Sequence, residues 1–235
     1  MRNLWVDGKC LREFSLYVSG ENGFDASQWQ YSRKEVPGRN GDLIIPSKRL
    51  ANVTVQYPAA ITKNFSANAA ALRQYLLSAG AAYRRIEDDY NVDTYRLGIF
   101  SGPMSFETGF LNRTGEITLE FDCKPQRYIK QGEFSIAVHS GHTISNQWMP
   151  ALPLLQITGT GDGQLVVGSS QVDITGMTGA ITLDCDVQNA YNGTLNLNNN
   201  ITITGGWPVL ATGQTAISFS GGITAVSIVP RWWTL

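Results

Sequence analysis

The sequence predicts a mainly β protein in two parts: an N-terminal β-rich α+β domain with one helix, followed by an antiparallel β-sandwich. Three observations carry this reading. Between Gly115 and Lys124, Ile117, Leu119, Phe121 and Cys123 fall on one side of a two-residue repeat, and Glu116, Thr118, Glu120, Asp122 and Lys124 on the other. That is the pattern of an antiparallel strand with one face on a core and one in water. A single stretch, residues 66–78, has helical spacing. Beyond residue 131, short apolar runs recur between Gly- and Asn-rich turns with no helix, which reads as a sandwich. Pro125 lacks a ladder donor and is expected to end the organising strand. Residues 125–132 then hinge a first domain, 1–131, to a second, 132–235.

Composition narrows the function classes. Hydrophobic residues make up 43% of the 235, enough for real cores, while charged residues are only 16%, below the usual quarter. The polar surface therefore rests on Ser, Thr, Asn, Gln and Gly, which suits a β protein whose surface serves assembly. The net charge of −1 leaves no basic stripe for phosphate neutralisation, so nucleic-acid binding is not expected. No apolar run is long enough for membrane insertion. Met1 to Gly8 lacks the apolar run of a signal peptide, so the chain is expected to be made in the cytosol and to stay soluble. Asn52, Asn64, Asn112, Asn192 and Asn200 each open an Asn-x-Ser/Thr triplet; without a secretory leader these read as polar turn chemistry. Cys10, Cys123 and Cys185 have neither metal-ligand nor redox-motif spacing and read as reduced thiols, Cys123 and Cys185 facing inward.

Taken in order, Leu11–Val18 reads as an early strand and Gly20–Gly23 as a turn. Glu35 to Ile45 contains Pro37-Gly38 and Asn40-Gly41 before an apolar run, the chemistry of a projecting hairpin. No helix follows it, so it is no phosphate loop. Arg39, Asn40, Gly41 and Asp42 are the candidate subunit-contact residues. Asn52–Tyr57 alternates again and is expected to stop at Pro58. Ser66 caps the helix, whose apolar face is Ala69, Leu72, Leu76 and Ala79, and Gly80 ends it. Tyr83–Asp88, Thr94–Phe100 and Ser105–Leu111 follow as strands, with a turn at Asn112–Gly115. Glu87, Asp88 and Asp89 are adjacent along a strand and cannot converge on one face, so they read as a solvated turn.

In the second half, Phe134, Ile136 and Val138 open a strand. His139 and His142 flank Ser140-Gly141 and lack a third ligand, so no metal site is expected. Gly159–Gly163 lies between Leu154–Thr158 and Gln164–Val167 and reads as a hairpin turn, not a dinucleotide loop. Val172–Ile174 and Ala180–Val187 follow. In the latter, Ile181, Leu183, Cys185 and Val187 face in, while Asp184 and Asp186 face out, about 7 Å apart by strand rise. Such a carboxylate pair is where glycosidase chemistry would start, but nothing marks either as perturbed, and both read as surface. Leu195–Leu197, Ile201–Thr204, Ala216–Phe219 and Thr224–Val229 complete the strands. Trp207, after Gly205-Gly206, is the candidate for a sugar or partner contact. No catalytic residue, cofactor site or metal site emerges.

Several motifs resemble, in order, those of the distal tail (Dit) proteins of long-tailed, non-contractile bacteriophages. They are Val36-Pro37-Gly38-Arg39-Asn40-Gly41-Asp42, Tyr95-Arg96-Leu97-Gly98, Phe121-Asp122-Cys123-Lys124-Pro125-Gln126-Arg127-Tyr128, Ile217-Ser218-Phe219-Ser220-Gly221-Gly222 and Pro230-Arg231-Trp232-Trp233. The similarity spans nearly the whole chain. It implies a first domain that forms a hexameric ring and a galectin-like second domain on its outside. It further implies a structural, non-enzymatic virion component at the distal end of the tail. Its partners would be itself, the tail tube protein and a tail-tip hub or tail-associated protein, with the tape measure and a receptor-binding protein as further neighbours. The alternative expectation is a carbohydrate-binding module that grips host cell-wall polysaccharide through the second domain, Trp207 included.

Overall fold

The structure, a computed structural model, describes residues 2–19, 26–109 and 113–235. The expected turn at Gly20–Gly23 lies outside them, as do Leu111 and Asn112 of the expected strand and turn. Contacts divide the chain into two compact units, Met1–Arg127 with Leu235, and Tyr128–Thr234.

The first unit contains β1 (Leu4–Val6), β2 (Lys9–Cys10), β3 (Leu16–Val18), β4 (Trp29–Lys34), β5 (Leu43–Leu50), β6 (Val53–Ile61), α1 (Phe65–Leu77), β7 (Arg84–Asp88), β8 (Thr94–Phe100), β9 (Glu107–Gly109) and β10 (Thr114–Ile129). Its main sheet runs β2-β1-β7-β8-β10-β6-β3, with β9 on the start of β10. A bridge between Arg2 and Val18 returns the last strand to the chain start, so the sheet curls round its core. Ile117, Leu119, Phe121 and Cys123 of β10 meet Val53, Val55, Tyr57, Ala59 and Ile61 of β6 in that core. Helix α1 covers it with Ala69, Leu72 and Leu76. The expected cap is displaced: Phe65 already belongs to the helix, and Asn64, in the left-handed region at φ 46°, stands at its N-cap. Ala79, placed on the apolar face by spacing, is exposed beyond the last turn. Leu11–Phe14 is a 3-10 turn rather than strand; it buries Leu11 and Phe14, and only Leu16–Val18 pairs.

Two prolines do not end their strands. The register of β10 with β6 pairs Thr118 with Pro58 and continues to Gly115 and Ile61. The carbonyl of Pro58 accepts from Ser19 N–H, so the backbone groups of Pro58 point toward the β3 flank. There β3 has ended, at Val18 opposite Ala59. Pro125 is the same case. Ser101 N–H donates to Glu120 carbonyl, so even-numbered residues of β10 serve that flank and odd ones serve β6. The last β6 pair is Cys123 with Val53, and Pro125 falls just past it. A missing donor costs little where the β3 and β6 pairings have already ended.

The second unit contains β11 (Ile136–Val138), β12 (His142–Asn146), β13 (Leu154–Val167), β14 (Ser170–Asp184), β15 (Asn189–Asn192), β16 (Leu195–Asn196), β17 (Ile201–Thr204), β18 (Gly213–Val229) and β19 (Trp233–Thr234). Gly159–Gly163 is not a hairpin turn: it lies inside β13. The runs read as separate strands on either side of residues 175–179 and 220–223 likewise join into β14 and β18. The first half of β13 pairs β14 at Ala180–Asp184 and β18 at Ala225–Val229; its second half pairs them at Ser170–Ile174 and Ile217–Gly221. Bulges between Gly159 and Gly163 separate the halves and bend the strands. Leu155, Ile157, Leu183 and Ile228 from one half share a core with Leu165, Val167, Val172 and Ile217 from the other. One bent sheet thus supplies both layers of a sandwich.

Candidate assembly surface

β4 and β5 form a two-stranded sheet of their own. Lys34 opposes Leu43, Arg33 Ile44, Ser32 Ile45 and Tyr31 Pro46, and a register shift then brings Gln30 opposite Arg49. The bulge lies at Ser47-Lys48, where Lys48 takes φ 55°. At the base, Ala51 N–H donates to Gln28 carbonyl at 3.0 Å, and Ser27 hydroxyl donates to Ala51 carbonyl. At the tip, Arg39 N–H donates to Val36 carbonyl at 3.1 Å. Pro37 and Gly38, the latter at φ 78°, fill the central positions of a type II turn, the second of which needs positive φ.

Every residue from Gln28 to Arg49 is exposed. Trp29 is 58% exposed, Ile44 50%, Tyr31 and Ile45 47%. A bare two-stranded hairpin is marginal in water, and a contiguous exposed apolar surface marks a site of interaction. The arm therefore has the chemistry of an element made to be covered. Arg39, Asn40, Gly41 and Asp42 stand together in its tip loop, Gly41 at φ 83°. Strand β4 was not expected from sequence, although Trp29 and Tyr31 alternate with Gln30 and Ser32 and carry the strand signal. Trp207 belongs to the other unit. It is half-buried and packs against the sandwich core, and its carbonyl accepts from Ser170 hydroxyl at 3.4 Å.

The other candidate chemistries resolve into structure. Asp88 accepts from Tyr57 hydroxyl at 2.7 Å and from the N–H groups of Tyr90 and Asn91. Asp89 accepts from Asn3 N–H at 2.7 Å. These carboxylates build the turn, where a solvated turn was expected. Burial, and then the Asp88 carboxylate, push the Tyr57 hydroxyl well above its ordinary range. Among the described residues no group of three or more His, Cys, Asp or Glu could hold a metal, and no helix is long and apolar enough to cross a membrane.

Asp184 and Asp186 do not form an outward pair. Asp184 is buried and accepts two bonds from Arg231 and one from Asp186 N–H. Arg231 holds its carboxyl below the usual carboxylate range. Val187, expected inside, is 64% exposed because the strand has ended at Asp184. Burial pushes the Cys123 and Cys185 thiols up to about 12.

No family model and no curated protein matches the sequence. Solved structures do. The chain is similar to the Dit (gp 19.1) protein of phage SPP1, described as a paradigm of the hub adsorption apparatus in phages infecting Gram-positive bacteria. That match has a TM-score of 0.76 at 14% identity and covers 97% of this chain and 98% of the other. A chain of the phage P2 baseplate in its activated conformation with Ca matches at TM-score 0.56 and 9% identity, over 97% of both chains. A chain of the corresponding baseplate with Sr matches at 0.53 and 11% identity, over 97% of this chain and 98% of that one. Across essentially its whole length, the chain has the Dit fold.

Proposed function

We propose that six copies of this chain form a ring at the distal end of the tail of a long-tailed, non-contractile bacteriophage. The ring joins the tail tube protein to a tail-tip hub or tail-associated protein, with the tape measure and a receptor-binding protein as further neighbours. The chain is made in the bacterial host cytoplasm and ends up in the virion. Its role is structural, not catalytic. The observation that carries this reading is the whole-chain likeness to SPP1 Dit, both units included. The first unit holds the ring through the β4–β5 arm, tip residues Arg39 to Asp42 included. The wall-polysaccharide alternative lacks a comparable observation, since the Trp207 ring is engaged with the core of its own unit.

Negative-stain images of the purified full chain test the reading. Six-fold annular particles are expected. A chain that stays a single copy at high concentration, and that antibody never finds at the tip of a phage tail, overturns it.

A further inference from the structure

The arm has a counterpart elsewhere on the first unit. The water-facing side of β6 and β10 forms an open trough of about 600 Å³, lined among others by Gln56, Pro58, Ala60, Pro103, Thr118 and three glutamates, Glu107, Glu116 and Glu120. Neighbouring strands set its rows: Glu116 opposes Ala60, Thr118 opposes Pro58 and Glu120 opposes Gln56. On its other flank Glu116 opposes Glu107. Like charges directly opposite on paired strands repel, and among the described residues no Lys or Arg lines the trough. Its floor of Pro58 and Ala60 is small and apolar.

The arm is complementary to it. Residues 28–49 carry Arg33, Lys34, Arg39, Lys48 and Arg49 against only Glu35 and Asp42. They also present Tyr31, Leu43, Ile44 and Ile45. The eight residues of β5 reach about 26 Å, and the trough rows from 116 to 120 need about 17 Å. The arm does not lie in the trough of its own chain, since every one of its residues from 28 to 49 is exposed. Two different, complementary patches on one chain define a head-to-tail contact, the kind that closes into a ring when the rotation permits.

We propose that the β4–β5 arm of one copy lies in the Glu107–Glu116–Glu120 trough of the next copy. The cations of the arm meet the glutamates, and its apolar side chains cover Pro58 and Ala60. This names the acceptor surface for the ring proposed above and rests on that reading.

Charge reversal tests it on the full chain, with folding checked by circular dichroism. The arm variant is Arg33→Glu with Lys34→Glu; the trough variant is Glu107→Lys with Glu116→Lys. All four positions are exposed or half-exposed, so each chain should fold. Each variant is expected to need at least about tenfold more protein for half-assembly, as expected when complementary interface charges become like charges. The parent is expected to lose assembly as salt rises. Combining all four reversals in one chain restores rings. In an equimolar mixture of the two variants, every contact between unlike copies is complementary, so rings that alternate the two are expected by light scattering. A trough variant that assembles like the parent, or a fourfold variant that does not recover, overturns the docking while leaving the ring itself standing. A parent chain that never assembles overturns both.

Discussion

The two terminal nitrogens of Arg231 donate to the two carboxylate oxygens of Asp184 at 2.7 and 2.8 Å. This forked pair ties the segment after β18 to the end of β14. The same Arg231, at φ 57°, also donates its backbone N–H to Gly132 carbonyl at 2.8 Å. Three stretches distant in sequence are therefore fixed at one point of the sandwich.

Removing one member of this pair leaves the other half-buried and uncompensated. Asp184→Asn is expected to lower the stability of the second unit by about 2 kcal/mol, read as a shift in the urea midpoint. Because Arg231 depresses the folded-state pKa of Asp184, the stabilisation is fully present above the unfolded value near 3.9. It is lost as pH falls through the lower folded value. The parent and the Asp184→Asn chain should therefore converge in stability at acid pH. A constant difference between pH 7 and pH 2 would remove the ion pair as its cause.

The strand bend makes a steric prediction. A Cβ on Gly222 would stand 1.9 Å from Thr160 carbonyl oxygen, whereas one on Gly161 would meet nothing within 4 Å. Gly222→Ala is expected to cost about 3 kcal/mol or more, since backbone must move. Gly161, at φ 80°, should cost only the left-handed strain of about 1–2 kcal/mol on substitution by Ala. Equal midpoints for the two variants in urea would refute this account of the corner.

The thiols should separate by reactivity. Cys10 is half-exposed, while Cys123 and Cys185 are buried, and burial pushes the latter pair up to about 12. At pH 8 a thiol reagent should label one cysteine per folded chain quickly and the other two only after unfolding. Fast labelling of two in the native protein would contradict the packing of one of the cores.

The arm tip should affect assembly and not folding. Gly41 takes φ 83° with open space around its Cβ position, so Gly41→Val strains the tip without touching either core. The melting temperature should change by only a few degrees, while rings give way to soluble single copies. Intact rings in this variant would take the tip out of the subunit contact.

Alternation along β10 and β6 by itself determined which side chains meet the core of the first unit, because a two-residue period leaves no other choice of face. Helical spacing likewise found α1, but its cap lies two residues earlier than expected, at a left-handed Asn64 rather than Ser66. Residue identity misled at Pro58, Pro125 and Gly159–Gly163. Whether a missing N–H ends a strand depends on what lies on that flank, and whether glycines turn a chain or merely bend it depends on where the strand pairs next. Both are properties of neighbours distant in sequence. Tertiary structure also drew Asp184 inward to Arg231, 47 residues away. It alone left the arm bare on both faces, since exposure is set by what the rest of the chain fails to cover.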